Sequence, residues 1–368
     1  MKKNVLLVIN SELSLSGVPT VIMNIVRNLQ SEYNFDLITI SENVSGFYDE
    51  EFKKLGGEIY NLKLLRYKKH KILFFLRFFQ IKRHLRNILI QKKYDIIHCN
   101  NGIESGVFLY LTKNKIETRI SHAHGLYSFA DRKNIFLKFY YKKCSKWIRK
   151  FSTALLACSH NSGVSLFDNN KFYNMLNPID VDFFSQVTKK THRDIKLLQI
   201  GYYCSNKNQM FSVHLLDKLI KSDVKASLYF VGFEYERGYL DKLKDEILSL
   251  GLSNFVSFLP KDVSKKDIFS FSDYLLLPSY SEGLPLVLLE AQSSNVMCLT
   301  SCVIPNECDF GLLKRIDLND IDRWANFIVL QKKDSYSLNL EKIKKIDVRN
   351  YARRVSLIYE GLITDETQ

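Results

Sequence analysis

Two glutamates eight positions apart, Glu282 and Glu290, frame the stretch SYSEGLPLVLLEAQ (residues 279–292). An apolar run, YLLLPS, precedes the first, so the segment reads as a strand turning into a helix. Gly283, Leu284, Pro285 and Leu286 are expected to form the helix start, where unpaired backbone N–H groups and the macrodipole favour an anion. Pro285 suits the first helical turn because its missing N–H costs little there. Glu282 then stands just outside the helix. Eight residues is about two helical turns, so Glu290 shares a face with the helix start and would hold a ribose. The plain alternative is a solvated loop acid followed by an ordinary helix glutamate.

A second strand-to-helix turn, GYYCSNKNQ (201–209), offers Gly201 for a close turn and Lys207 as a cation for phosphate near a helix start. It does not match the G-x-x-x-x-G-K-[ST] loop, which argues against a P-loop nucleotidase. His98, in DIIHCN, closes another strand, where it would meet an acceptor or simply cap the sheet. The triplet DVD (180–182) superficially resembles a metal-binding motif, but a helix dipole with Lys207 can supply the same charge stabilisation, and no metal is expected.

The elements that must position these residues alternate regularly. Strand candidates are 4–10, 35–40, 58–62, 95–99, 119–122 and 154–159, separated by helix-like stretches such as 19–30, 71–91 and 132–150. The rhythm restarts with KLLQIG (196–201), SLYFVG (227–232), FVSFL (255–259), YLLLPS (274–279) and VMCLTS (296–301). Strands separated by helices imply parallel sheets covered on both faces, with ligands at the carboxyl ends of the strands. The polar run QVTKKTHRD (186–194) divides the chain. The expectation is an α/β architecture of two doubly wound Rossmann-like domains facing across a cleft, 1–188 and 189–345. A terminal segment, 346–368, carries Val348, Tyr351, Val355 and Tyr359 on one helix face and returns to the first domain.

Composition narrows the function. The 368 residues suit two domains, and 46% hydrophobic content can build their cores. A balance of 53 basic against 39 acidic residues, net +14, implies an anionic partner. Seven cysteines without regular spacing form neither a disulfide framework nor a zinc site and fit a cytoplasmic protein. MKKNVLLVIN reads as a first strand rather than a signal peptide, and no run is long enough to span a membrane.

The charge is concentrated. Between Arg66 and Lys93 lie 10 Lys/Arg and no acid, and Arg132–Lys150 is similarly biased. In the first of these runs Phe74, Phe78, Ile81, Leu85 and Ile88 form a core stripe. Ile72, Phe75, Leu76 and Phe79, then Lys82, Arg83 and Arg86, occupy the opposite side. Aromatics and bases together suit a helix lying on an anionic membrane; the alternative is a packed helix with a basic rim. No RNA- or DNA-binding motif accompanies the charge, so nucleic acid is not expected as a partner.

The glutamate, seven residues, glutamate arrangement of EGLPLVLLE resembles the signature of family 4 glycosyltransferases of the GT-B fold. So does the order of the other pieces: SLSGVPTV, DIIHCN, HAHG, LLACSHNSG, NPID, GYYCSNKNQ and SCVIPNE. Bacterial capsular and exopolysaccharide transferases are the nearest in character. By this resemblance Glu282 contacts donor sugar hydroxyls and Glu290 the nucleotide ribose. Lys207 and the amides of residues 283–286 stabilise the leaving diphosphate. His124, with Gly125 behind it, contacts the sugar, His122 competing for that role, and Gly17 lies under donor phosphates or acceptor. Glu307 bonds loop backbone near the donor, or is structural. One departure matters: Tyr202 stands where the family usually has an arginine, and a phenol cannot replace a bidentate phosphate clamp. Either another base, such as Arg132 or Lys133, assists, or catalysis is weakened. Ser16 also stands where a second glycine is common.

The resemblance implies a metal-independent retaining transferase that uses a nucleotide sugar, expected to be a UDP-sugar, as substrate and requires no cofactor. Its acceptor would be a glycan on a polyprenyl diphosphate at the inner face of the cell membrane. The rivals are a nucleotide-sugar epimerase on the same fold and a non-catalytic binding subunit, the latter favoured by Tyr202.

Overall fold

Apolar runs too short for helices become the strands of two parallel sheets in the computed structural model, which describes residues 2–42, 45–64, 74–127, 135–330 and 336–362, apart from the side chains of Phe74 and Phe75. Ile72, Arg132, Lys133 and the side chain of Phe75 therefore lie outside the described residues. The chain divides into one unit of residues 1–178 with 348–368 and another of 179–347.

The first unit runs β1 (Lys3–Ile9), α1 (Gly17–Leu29), β2 (Tyr33–Thr39), α2 (Asp49–Lys54), β3 (Ile59–Asn61), α3 (Phe74–Gln91), β4 (Ile96–Cys99), α4 (Ser105–Thr112), β5 (Thr118–Ala123), α5 (Ile135–Phe151), β6 (Ala154–Ala157), α6 (His160–Phe167) and β7 (Tyr173–Asn174). Its sheet has the order β3-β2-β1-β4-β5-β6-β7. Ile97, Cys99 and Ala123 face a core shared with Ile81, Leu85 and Ile88 of α3 and Tyr140, Tyr141, Cys144 and Ile148 of α5. The expected α3 stripe is thus its buried face, with Phe78 partly buried against the same core.

The second unit comprises α7 (Val181–Ser185), β8 (Ile195–Ile200), α8 (Gln209–Lys221), β9 (Ala226–Val231), α9 (Tyr239–Ser249), β10 (Val256–Leu259), α10 (Lys265–Phe271), β11 (Tyr274–Leu277), α11 (Leu286–Ser293), β12 (Met297–Thr300), β13 (Leu313–Arg315), α12 (Ile321–Leu330) and α13 (Leu340–Lys345). Its strand order is β10-β9-β8-β11-β12-β13. The direction of winding reverses between β8 and β11, which are hydrogen-bonded neighbours. The loops leaving their carboxyl ends are therefore brought together, the usual place for a ligand in such a sheet.

The first unit ends at Pro178 rather than at residue 188. Residues 179–188 pack on the second unit: Ile179 donates its N–H to Ile346 O at 3.0 Å, and the ring of Phe184 meets that of Phe269. The last helix, α14 (Val348–Tyr359), belongs to the first unit, with Val348, Tyr351, Val355 and Tyr359 all buried. The return of the terminal segment follows from that apolar face, which packs beside α1.

One buried ion pair in the first unit has no counterpart in the apolar pattern. Arg77 of α3 donates to Glu104 through Nε at 2.9 Å and Nη2 at 2.7 Å, and Tyr140 adds its hydroxyl at 3.3 Å. Both charged side chains are under a tenth exposed. Arg77→Ala is expected to destabilise this unit by about 3–5 kcal/mol, because it strands a carboxylate away from water. Arg77→Met with Glu104→Gln should recover most of that loss. Thermal unfolding of the three proteins checks it, and a single-mutant loss below about 1 kcal/mol, the worth of a surface pair, would refute it.

Candidate functional site

After β8 the chain passes Gly201 and Tyr202 and makes a tight turn at Ser205–Lys207. Asn208, with φ 52°, then starts α8. After β11 it runs from Pro278 to Pro285 into α11. Because β8 and β11 are neighbours, the two loops are joined along their length. Tyr280 donates its backbone N–H to Asn206 O at 2.9 Å. Asn206 Nδ2 returns a bond to Ser281 O at 2.9 Å. At the end of this seam Lys207 Nζ lies 2.5 Å from Glu282 Oε1, with the side chains 18% and 10% exposed. Lys207 runs over Gly201, its Cε 3.5 Å from where a Cβ would stand.

The other side of the first loop is tied to β9. Tyr203 donates its N–H to Phe233 O, and Ser205 N–H reaches Glu236 Oε2 at 2.7 Å. Gly232 is the residue that permits this approach: a Cβ on it would sit 2.0 Å from Gly201 O. Tyr202 stacks on Tyr235 with ring centroids 5.4 Å apart and meets the edge of Phe233 at 4.7 Å. Thus an aromatic group occupies the position at which the resemblance calls for a guanidinium.

Helix α11 begins at Leu286, so Pro285 is its N-cap residue rather than part of its first turn, and no side chain caps that turn. Gly283, Leu284, Pro285 and Leu286 thus lead into an uncapped helix start beside the Lys207–Glu282 pair. Glu290 is placed differently from the expectation of a carboxylate open to a ribose. It is 3% exposed, and Lys265 Nζ contacts its two oxygens at 2.6 and 2.7 Å. The glutamates therefore belong to two separate ion pairs. Lys265 escaped the sequence reading; its only local signal was a lysine at a helix start following Ser264, whose side chain caps α10. Asp180 of the DVD triplet is engaged as the N-cap of α7, accepting from Phe183 N–H at 2.9 Å.

In the first unit, His98, His122 and His124 share one face of the sheet, opposite the α3–α5 core, because they alternate with Ile97, Cys99 and Ala123. His98 Nε2 and His122 Nδ1 are 3.2 Å apart, and the His122 and His124 rings are 3.9 Å apart. His98 and His122 are fully buried, whereas His124 at the carboxyl end of β5 is partly exposed. α14 covers His98 through Tyr359, whose hydroxyl is 2.9 Å from His98 Nδ1. Burial, with a smaller contribution from His124, lowers the His98 pKa to about 3. Burial likewise holds His122 well below its ordinary value and lowers His124 to about 4, with Asn177 opposing the shift. All three imidazoles are neutral at physiological pH. Gly17 starts α1 after Ser16; it is exposed, and a Cβ there would meet nothing within 4 Å.

Comparison with known proteins shows the family and the fold. The family description "Glycosyltransferase Family 4" matches residues 15–172, and "Glycosyl transferases group 1" matches residues 180–310. The chain is 25% identical over 344 residues to the putative glycosyltransferase EpsF of Bacillus subtilis, covering 86% of this chain and 85% of that one. It is 26% identical over 278 residues to the UDP-Gal:alpha-D-GlcNAc-diphosphoundecaprenol alpha-1,3-galactosyltransferase of Escherichia coli, covering 67% and 68%. The crystal structure of Anabaena HepE in complex with UDP superposes with a TM-score of 0.75 at 13% identity, over 98% of this chain and all of that one, which shows the fold. On two family descriptions, each lying within one unit, and full-length likeness of fold, the chain belongs to the family 4 glycosyltransferases of the GT-B fold.

Proposed function

We propose that this glycosyltransferase moves a sugar from a UDP-sugar to a glycan on a polyprenyl diphosphate carrier in bacterial polysaccharide assembly. Transfer would retain the configuration of the anomeric carbon and need no metal. The observation that carries the reading is the Lys207–Glu282 pair beside the uncapped start of α11, where the winding of the second sheet reverses. A cation and a helix N-terminus there suit a diphosphate, and Glu282 suits sugar hydroxyls. Support for donor and acceptor comes from the E. coli relative, whose name specifies UDP-Gal and a diphosphoundecaprenol acceptor, and from HepE, solved with UDP.

In the proposed mechanism the acceptor hydroxyl attacks the anomeric carbon on the face the nucleotide leaves, and the departing phosphate takes its proton. Lys207 and the amides from Gly283 to Leu286 stabilise the leaving diphosphate, with Gly201 and Gly17 giving it room. Glu282 and His124 hold the sugar. Glu290 serves the ribose together with Lys265, so that the pair rather than a bare carboxylate meets the nucleotide. The rival reading, a binding subunit without turnover, rests on Tyr202, which packs against Tyr235 and Phe233 and supplies no charge. Mass-spectrometric turnover with a panel of UDP-sugars, membranes containing lipid-linked acceptors, and EDTA separates the two. Transfer that survives EDTA and vanishes in Glu282→Ala is expected. Nucleotide binding without transfer from any donor would favour the binding subunit.

The membrane reading rests on the first unit. Leu76 and Phe79 of α3 are 45% and 61% exposed, and Lys82, Arg83 and Arg86 beside them are exposed. On α5, Ile135, Phe136 and Phe139 are exposed together with Lys138, Lys142, Lys143 and Lys146. Phe78 of α3 packs against Trp147 of α5, so the two helices are joined beneath these groups. No helix among the described residues is long and apolar enough to cross a membrane. The proposed location is peripheral, at the cytoplasmic leaflet, where each base near an anionic surface contributes about 1 kcal/mol. Arg83→Glu with Arg86→Glu is expected to weaken binding to phosphatidylglycerol vesicles by more than about tenfold, and Phe79→Ser to weaken it without changing its salt dependence. Equal sedimentation of all three proteins with vesicles would remove the membrane face from the proposal.

A further inference from the structure

The turn that carries Lys207 is capped from another strand. Its own N-cap residue, Cys204, offers no side-chain bond. The N–H groups of Lys207 and Asn208 turn back to Cys204 O at 3.1 and 3.3 Å. The first N–H of such a turn has no acceptor within it, and here that group belongs to Ser205. Glu236, on the loop after β9, supplies the acceptor: its Oε2 takes the Ser205 N–H at 2.7 Å and the Ser205 hydroxyl as well. One carboxylate oxygen thus does what an N-cap aspartate does, from 31 residues away in sequence. The Ser205 hydroxyl, and after it the Ser205 N–H, hold the Glu236 carboxyl below the usual carboxylate range, so it is an anion at neutral pH.

Glu236 is itself held in place. Its N–H reaches Tyr203 O at 3.3 Å beside that of Tyr235 at 3.2 Å, and Tyr203 pairs with Glu234 in a β-bridge. At the other end of the turn, Gln199 of β8 donates from Nε2 to Lys207 O at 2.7 Å, and its Oε1 accepts from Ser212 at 2.7 Å. Gln199 is buried, whereas Ser205 and Glu236 are exposed. The three residues before α8 are therefore clamped from the core at their end and from the surface at their start.

We propose that Glu236 is a positioning residue for Lys207: by capping the turn at Ser205 it fixes the backbone from which Lys207 reaches Glu282 and the leaving diphosphate. This rests on the reading of Lys207 as the charge beside that diphosphate. Glu236 acts on the turn and not on the substrate. A lysine is a mobile point charge on a long stem, so its effect depends on where its backbone is held. Tyr202 supplies no second charge that would make up for a displaced Lys207.

Amide hydrogen exchange of the unliganded full chain tests the cap. In Glu236→Ala the amides of Lys207 and Asn208 should exchange about fivefold faster than in the wild type, the ordinary worth of a cap. Those of β8 and α8 should be unchanged. Exchange at the wild-type rate overturns the proposal, and so does acceleration throughout the second unit. Positioning is read from UDP binding by calorimetry and from turnover with a UDP-sugar. Glu236→Ala should cost about fivefold in the same parameter that Lys207→Ala damages. Glu236→Gln should recover part of the loss, because its amide oxygen still accepts the Ser205 N–H. In the Lys207→Ala background, Glu236→Ala should cost nothing further. Equal losses in both backgrounds would refute action through Lys207. Lys207→Ala is also the control for the underlying reading. If it binds UDP and turns over like the wild type, the leaving-group reading fails, whereas a damaged Lys207→Ala beside a normal Glu236→Ala refutes the present inference alone.

Discussion

Lys207→Ala is expected to lower kcat for sugar transfer by about a hundredfold to a thousandfold, the usual loss when one preorganised charge at a developing anion is removed. The size follows from the setting. Lys207 and Glu282 are less than a fifth exposed, and charge interactions in such a site are screened less than in water. Tyr202, beside Gly201, brings an aromatic ring where the resemblance calls for a guanidinium, so more of the leaving diphosphate's charge falls to Lys207 and the start of α11. Lys207→Arg should retain part of the activity, since it keeps the charge but not the reach. The split between parameters is informative. A fall in kcat means Lys207 acts on charge that develops during transfer, whereas a rise in donor KM alone means it binds the ground state. Turnover within about twofold of wild type would end the leaving-group role.

The second large effect is on stability. Mild acid is expected to weaken the first unit by about 6 kcal/mol between pH 7.5 and pH 5, a large share of an ordinary domain's stability. The sign follows from the histidines. His98 titrates near 6.5 when unfolded and is lowered to about 3 when folded, because burial disfavours its charged form; His122 is lowered in the same way, and His124 to about 4. The unfolded chain therefore takes up protons first. The contribution is complete above about pH 6.5 and declines as pH falls toward the folded value, reaching about 2 kcal/mol lost per histidine at pH 5. The groups nearest these rings are each other, the Tyr359 hydroxyl and the amides of Asn100 and Asn177, none of which carries a negative charge to pair with an imidazolium. The paired carboxylates Glu51 and Glu360 have lowered pKa values and lose their contributions only at lower pH, so the interval from 6.5 to 5 isolates the histidines. Denaturant unfolding followed by a probe in the first unit should show the decline, and His98→Gln should remove about a third of it. A flat profile, or imidazoles that titrate near pH 6.5 in the folded protein, would contradict the burial argument.

Much of this molecule was legible in one dimension. The alternation of short apolar runs with amphipathic stretches marked the main strands of both sheets, because side-chain period follows backbone geometry whatever the tertiary context. The stripe through Ile81, Leu85 and Ile88 was identified for the same reason. The short strands β7 and β13 were not. Arg77 gave no signal either: a buried arginine breaks the apolar pattern and is understood only beside Glu104. The division at Pro178 rather than residue 188 had the same cause, because a polar run need not lie between units when its neighbours find partners on one of them.

The candidate site divides along the same line. Residue type and a strand–turn–helix context singled out Glu282, Lys207 and the start of α11. What each carboxylate touches was decided by strand order: β8 beside β11 brings Lys207 to Glu282 across 75 residues, while the α10–α11 packing gives Glu290 to Lys265. His98 and His122 looked open because each stands near the end of a strand; both are fully buried, His98 under Tyr359 of the returning α14. Local sequence determines which backbone geometry a segment adopts and which face is apolar. Which two distant loops or side chains meet depends on how the elements are wound around the sheet, and no local period records that.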